Sequence, residues 1–102
     1  MATAGVSLPE MTLGFSGAVP NPAQGLTQFV YSLPRAGHVR LSLIDVSGRI
    51  VRTVLDREMP AGHGQVAWNG RGENGVPLGA GLYWAQFEAA GKRVVRSVVL
   101  LR

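Results

Sequence analysis

The sequence predicts an all-β domain, an antiparallel β-sandwich of seven short strands. Three observations lead there. Apolar residues make up 46% of the 102-residue chain and charged residues only 16%, which is too apolar for a disordered segment and enough for one core. Fourteen Gly and six Pro leave little room for long helices. Short apolar–polar alternations of period two recur between Gly- and Pro-rich breaks. With no Cys, stability rests on packing, and a disulfide framework, thiolate metal sites and cysteine nucleophiles are excluded.

Residues 1–10 are small and polar and read as a tail or linker. Met11–Phe15 fits a first short strand, and Gly17–Gly25 a loop built on Pro20-Asn21-Pro22, whose prolines cannot donate to a ladder. The boundary expected is therefore a linker or N-terminal extension over 1–17 and the sandwich over 18–102. Leu26–Leu33 alternates, with Thr27, Phe29, Tyr31 and Leu33 on one face. Pro34–Gly37 is a turn. His38–Asp45 puts Val39, Leu41 and Leu43 on one face and His38, Arg40 and Ser42 on the other. Asp45-Val46-Ser47-Gly48-Arg49 is a hairpin signal, with Gly48 at the positive-φ position. Ile50–Leu55 fits either a strand or a short amphipathic helix. Its β-branched residues and the hairpin before it favour a strand. His63–Trp68 sets Val66 and Trp68 on one face, and residues 69–81 form a turn-rich loop. Leu82–Ala89 sets Tyr83, Ala85 and Phe87 against Leu82, Trp84, Gln86 and Glu88. After the Ala90-Gly91-Lys92 turn, Arg93–Leu101 is apolar on both faces: Val94, Val98 and Leu100 against Val95, Val99 and Leu101. Strands at this spacing make an immunoglobulin-like sandwich, without the disulfide of antibody domains.

The chain carries nine Arg, one Lys and six acids, a net charge of +4. The arginines are scattered, so the charge reads as a solvated basic face rather than a nucleic-acid site. No apolar run reaches the roughly 18 residues that span a membrane, and residues 1–8 lack the charged and apolar regions of a secretory signal. Gly70–Gly75 matches G-x-G-x-x-G, but Pro77, Gly79 and Gly81 forbid the helix a dinucleotide site needs. Asn69, Glu73 and Asn74 hold too few carboxylates for a calcium loop. His38 and His63 lack metal-ligand companions, and no nucleophile elbow or facing carboxylate pair stands out. No catalytic residue, cofactor or metal is expected. Trp68, Tyr83 and Trp84 are candidates for a sugar-stacking platform, although strand alternation sends Trp68 and one of the other two inward.

The order of motifs carries a resemblance. Pro20-Asn21-Pro22-Ala23 precedes Phe29-Val30-Tyr31-Ser32-Leu33-Pro34, then Gly37, Val39 and Leu43–Arg52. Ala61-Gly62-His63, Trp68-Asn69-Gly70-Arg71, Gly75-Val76-Pro77, Gly81-Leu82-Tyr83 and Val98–Arg102 follow. Over about residues 18–102 this resembles the immunoglobulin-like domain of the flagellar hook-capping protein. That domain type also ends many secreted bacterial proteins, and the chain is similar to the C-terminal sorting domains of type IX secretion. The usual Trp-Asp-Gly-Arg followed by Asp or Asn is here Trp68-Asn69-Gly70-Arg71-Gly72, which weakens any metal role for that loop.

The resemblance implies a non-catalytic C-terminal accessory domain of an exported bacterial protein, extracellular or at the cell surface. Its role would be secretion sorting or surface attachment. Its partners would be proteins, either secretion machinery or neighbouring subunits, with no nucleic acid and no membrane insertion. The alternatives are a structural assembly module of filament, cap or sheath, acting as a homo-oligomer, and a glycan-binding module. The candidate recognition residues are the Gly91-Lys92-Arg93 turn, Val95, Val99, Leu101 and Arg102 of the last strand, and Trp84. The mechanism expected is strand addition along the final strand.

Overall fold

The computed structural model describes residues 12–102, so the expected tail over 1–10 lies outside the described residues. Seven strands run in order: β1 (Gly14–Gln24), β2 (Leu26–Leu33), β3 (Gly37–Ile44), β4 (Ile50–Met59), β5 (Gly62–Trp68), β6 (Gly81–Ala89) and β7 (Lys92–Leu100). They form two sheets, β1-β2-β5 and β4-β3-β6-β7, packed face to face as an immunoglobulin-like β-sandwich. Pairing is antiparallel apart from a single parallel contact, Ala23↔Leu100, where β1 meets β7.

Strands β2, β3 and β6 each bury one of the two residue sets that alternation separates. Thr27, Phe29, Tyr31 and Leu33 of β2 meet Val39, Leu41 and Leu43 of β3 and Tyr83, Ala85 and Phe87 of β6 across a common core. Aromatic rings fill its centre, with Phe15 stacked on Phe87 at 4.9 Å between centroids and Phe29 beside Trp68 at 6.1 Å. Two of the buried aromatics have their polar tips paired. Trp68 Nε1 donates to the Arg71 carbonyl (2.9 Å), and Tyr83 donates to the Gly79 carbonyl (2.7 Å).

Two expectations change in detail. The loop over Gly17–Gly25 is instead the greater part of β1, which begins at Gly14 and buries Phe15. The prolines do break its ladder with β2, which has no pairs between Val19 and Gln24. The backbone nevertheless stays extended and passes to β7, because Asn21 and Ala23 bond there instead. Ile50–Leu55 resolves as strand, paired with β3 from Ile44↔Ile50 to Gly37↔Met59. Its helix-like spacing comes from two register shifts, which leave Val51 and Val54 as extra residues without partners in the ladder. Each shift inverts the alternation, so Val51, Val54 and Leu55 all pack against the core at three- and one-residue intervals.

Candidate functional site

Cross-strand register assembles the outer face of the β4-β3-β6-β7 sheet into rows. At one end, Asp56 of β4 lies opposite Arg40 of β3, Arg40 opposite Glu88 of β6, and Glu88 opposite Arg93 of β7. The next row is Thr53, Ser42, Gln86 and Val95. The one after is Ile50, Ile44, Trp84 and Ser97. Beyond it Leu82 faces Val99, and the β3–β4 hairpin presents Val46 at the same end. Directly opposed residues in an antiparallel pair have Cβ atoms about 5 Å apart, so each row is a set of neighbours. The face therefore divides by height into a charged end and an apolar end. Ile50 (49%), Leu82 (40%) and Val99 (36%) are exposed there with Trp84 half-buried among them, and Val95 (45%) is exposed in the row between. Ser42 is buried in the middle of the face, and its hydroxyl has no partner among the described residues.

At the charged end, His38 Nε2 lies 2.5 Å from Asp56 Oδ1 and its Nδ1 3.7 Å from Glu58 Oε2. The turn Ala90-Gly91, with φ of 53° and 72°, brings Lys92 and Arg93 round to border a shallow hollow of about 600 Å³ with His38, Arg40 and Glu88.

Of the recognition residues expected from sequence, Trp84, Arg93, Val95 and Val99 come together on this face. Gly91 and Lys92 sit at its charged rim, and Leu101 stays exposed past the end of β7. Arg102 is turned to internal use, since its guanidinium donates to the carbonyls of Leu78 (Nε, 2.8 Å) and Gly70 (2.9 Å) and ties the chain to the 69–81 loop. Strand addition on the last strand meets an obstacle. One side of β7 pairs with β6 along its whole length. On the other, the Asn21 side chain stands in for a strand: Nδ2 donates to the Ser97 carbonyl (3.0 Å) and Oδ1 accepts from Val99 N–H (3.0 Å). Leu101 N–H then donates to the Ala23 carbonyl (2.7 Å). The C-terminal half of β7 therefore offers its face rather than its edge.

The remaining candidates have structural employment. Glu73 closes the outer edge of β4: its N–H donates to the Val51 carbonyl (3.0 Å) and its carboxylate accepts from Thr53 N–H (3.0 Å). Asn69 and Asn74 accept through Oδ1 from the backbone N–H groups of Arg71 and Val76. The Gly70–Gly75 segment opens no helix. Trp68 and Tyr83 are buried, so of the three aromatics weighed as a sugar platform Trp84 alone lies on the outer face.

The FlgD Ig-like domain family matches over residues 20–93. The chain belongs to the FlgD Ig-like domain family. Among solved structures it is similar to FlgD from Xanthomonas campestris, described for hook capping in flagellar assembly. There identity is 26% and the TM-score 0.59, with 88% of this chain and 68% of that one covered. It also shares its fold with dimeric latent PorU from Porphyromonas gingivalis at 16% identity and TM-score 0.71, covering 92% of this chain and 10% of PorU. PorZ, an essential bacterial surface component of the type IX secretion system of Porphyromonas gingivalis, matches at 18% identity and TM-score 0.56, covering 88% of this chain and 11% of PorZ. A search of curated proteins gives no match. As an FlgD-type Ig-like domain the chain is a non-catalytic accessory domain, and its neighbours FlgD and PorZ are described as acting in flagellar assembly and as a component of a secretion system.

Pattern alone missed Ile44, Ile50 and Leu82 as neighbours of Trp84, and Arg40, Asp56 and Glu88 as neighbours of Arg93. Alternation put Leu82, Trp84, Gln86 and Glu88 on one side. It carries no signal for which strands flank β6.

Proposed function

We propose that this domain serves an exported bacterial protein in secretion sorting or cell-surface attachment, docking other proteins through the outer face of the β4-β3-β6-β7 sheet. The observation that carries this reading is the concentration of exposed apolar side chains, Ile50, Leu82, Val95 and Val99 around Trp84, on one face of a sheet whose opposite face is the core. The fold shared with PorU and PorZ, a small fraction of each of those proteins, agrees with a module appended to a larger chain. Residues upstream of β1 then act as the linker.

The test fuses the domain to a reporter in a bacterium with a type IX system. It compares the intact domain, its complete deletion and the face variant Leu82→Ser/Trp84→Ser/Val99→Ser. The reading expects deletion to abolish export or surface retention, and the face variant to reduce it about tenfold while its circular dichroism stays that of a folded sandwich. Equal export of all three overturns it.

A further inference from the structure

The charged row and the apolar end together select a partner. Across the sheet the row reads Asp56, Arg40, Glu88, Arg93, alternating negative and positive from β4 to β7. A row of this sign pattern is complementary to its own reversal. Rotation by 180° about an axis parallel to the strands, lying in the plane of contact, reverses strand order and preserves height along the strands. It sets Asp56 against the second copy's Arg93 and Arg40 against its Glu88, and each contact occurs twice. The same rotation lays apolar end on apolar end, with Ile44 against Trp84 and the exposed Val46 beside Leu82 and Val99. The other in-plane two-fold, across the strands, would set the apolar end on the charged end and desolvate charge without pairing it. One axis satisfies the face and the other does not.

Charge balance points the same way. The chain as a whole is +4, so two copies repel on average. This row is neutral, with two acids and two arginines. We propose that the outer face of the β4-β3-β6-β7 sheet is an isologous dimer interface, occupied by a second copy of this chain about a two-fold axis along the strands. The proposal rests on the reading that this face docks protein and names that protein.

The experiment is sedimentation velocity on the 102-residue chain, from about 1 μM to about 1 mM, the range that brackets weak specific association. Two variants give the row a single sign: Arg40→Glu/Arg93→Glu and Asp56→Lys/Glu88→Lys. The wild type is expected to sediment as a dimer at the upper concentrations. Each variant alone should have its dimerisation constant weakened at least about tenfold, and an equimolar mixture of the two should recover the dimer. Recovery on mixing identifies the row as intermolecular, because neither chain carries its own complement. If a variant fails to fold, raising salt on the wild type provides the reading, since dimer held by this row dissociates between about 0.05 and 0.5 M salt. A wild type monomeric throughout overturns the proposal, and if the export test has succeeded the face then belongs to a different protein. A dimer indifferent to the charge variants, to salt and to Trp84→Ser also overturns it. A loss of reporter export without any change in dimerisation separates the two readings.

Discussion

The β3–β4 hairpin shows how much one side chain organises. Asp45 Oδ1 accepts from the Ser47 hydroxyl (2.7 Å), Ser47 N–H (2.9 Å) and Arg49 N–H (3.0 Å), while Gly48 takes the positive φ of 88° that closes the turn. These bonds, the Ser47 hydroxyl first, hold the carboxyl down to about 2 from its ordinary 3.8. The folded-state value lies below the unfolded one. The stabilisation is therefore complete above the unfolded value and fades as pH falls toward about 2. Asp45→Ala is expected to lower the melting temperature at pH 7, with the gap to wild type narrowing between pH 4 and pH 2 in thermal melts. Gly64 serves packing instead. A Cβ there would overlap the Tyr31 ring, so Gly64→Ala must displace a core ring, and urea unfolding should show a loss of about 1–3 kcal/mol. Ser42 runs the other way. Its buried hydroxyl lacks a partner among the described residues, so Ser42→Ala should leave stability unchanged or raise it by up to about 1 kcal/mol.

At the scale of the element, sheet edges are closed by side chains acting as strands. Asn21 bonds both a carbonyl and an N–H of β7, and Glu73 does the same for β4 with one backbone and one side-chain group. Such plugs remove the unpaired groups that invite a foreign strand. Asn21→Ala strips both bonds from β7 and should cost about 1–2 kcal/mol in urea unfolding, with faster amide exchange at Val99 than at Val94. These plugs explain where the sequence was hard to read. Proline's missing N–H argues for a loop at Pro20-Asn21-Pro22, and the ladder with β2 does stop there. What keeps the segment extended is an asparagine side chain bonding a strand 76 residues away. In β4, two bulges disguise a strand as a helix-like pattern, and bulges are set by the partner strand, not by local preference.

For the whole molecule, the last strand is central to stability. Val98 and Leu100 are fully buried, and β7 forms the full ladder with β6. Removing residues 93–102 therefore unfolds the sandwich, and circular dichroism of the truncated chain should show a disordered spectrum. Loss of function on that truncation would not locate a recognition site, whereas substitutions on the outer face would. The strands β2, β3, β5, β6 and β7, the inward residues of β2, β3 and β5, the two alternating sets of β6 and β7, the 69–81 loop and the family resemblance were determined by the sequence itself. Alternation and turn chemistry are local, and burial forces the apolar set of each strand to one side. Beyond the hairpin read at Asp45–Arg49, which strands lie side by side was decided only by the tertiary structure. Pairing joins residues far apart in the chain, so it made a continuous face of Ile50, Ile44 and Trp84 and drew out the alternating row from Asp56 to Arg93, while β1 covered the C-terminal half of the β7 edge.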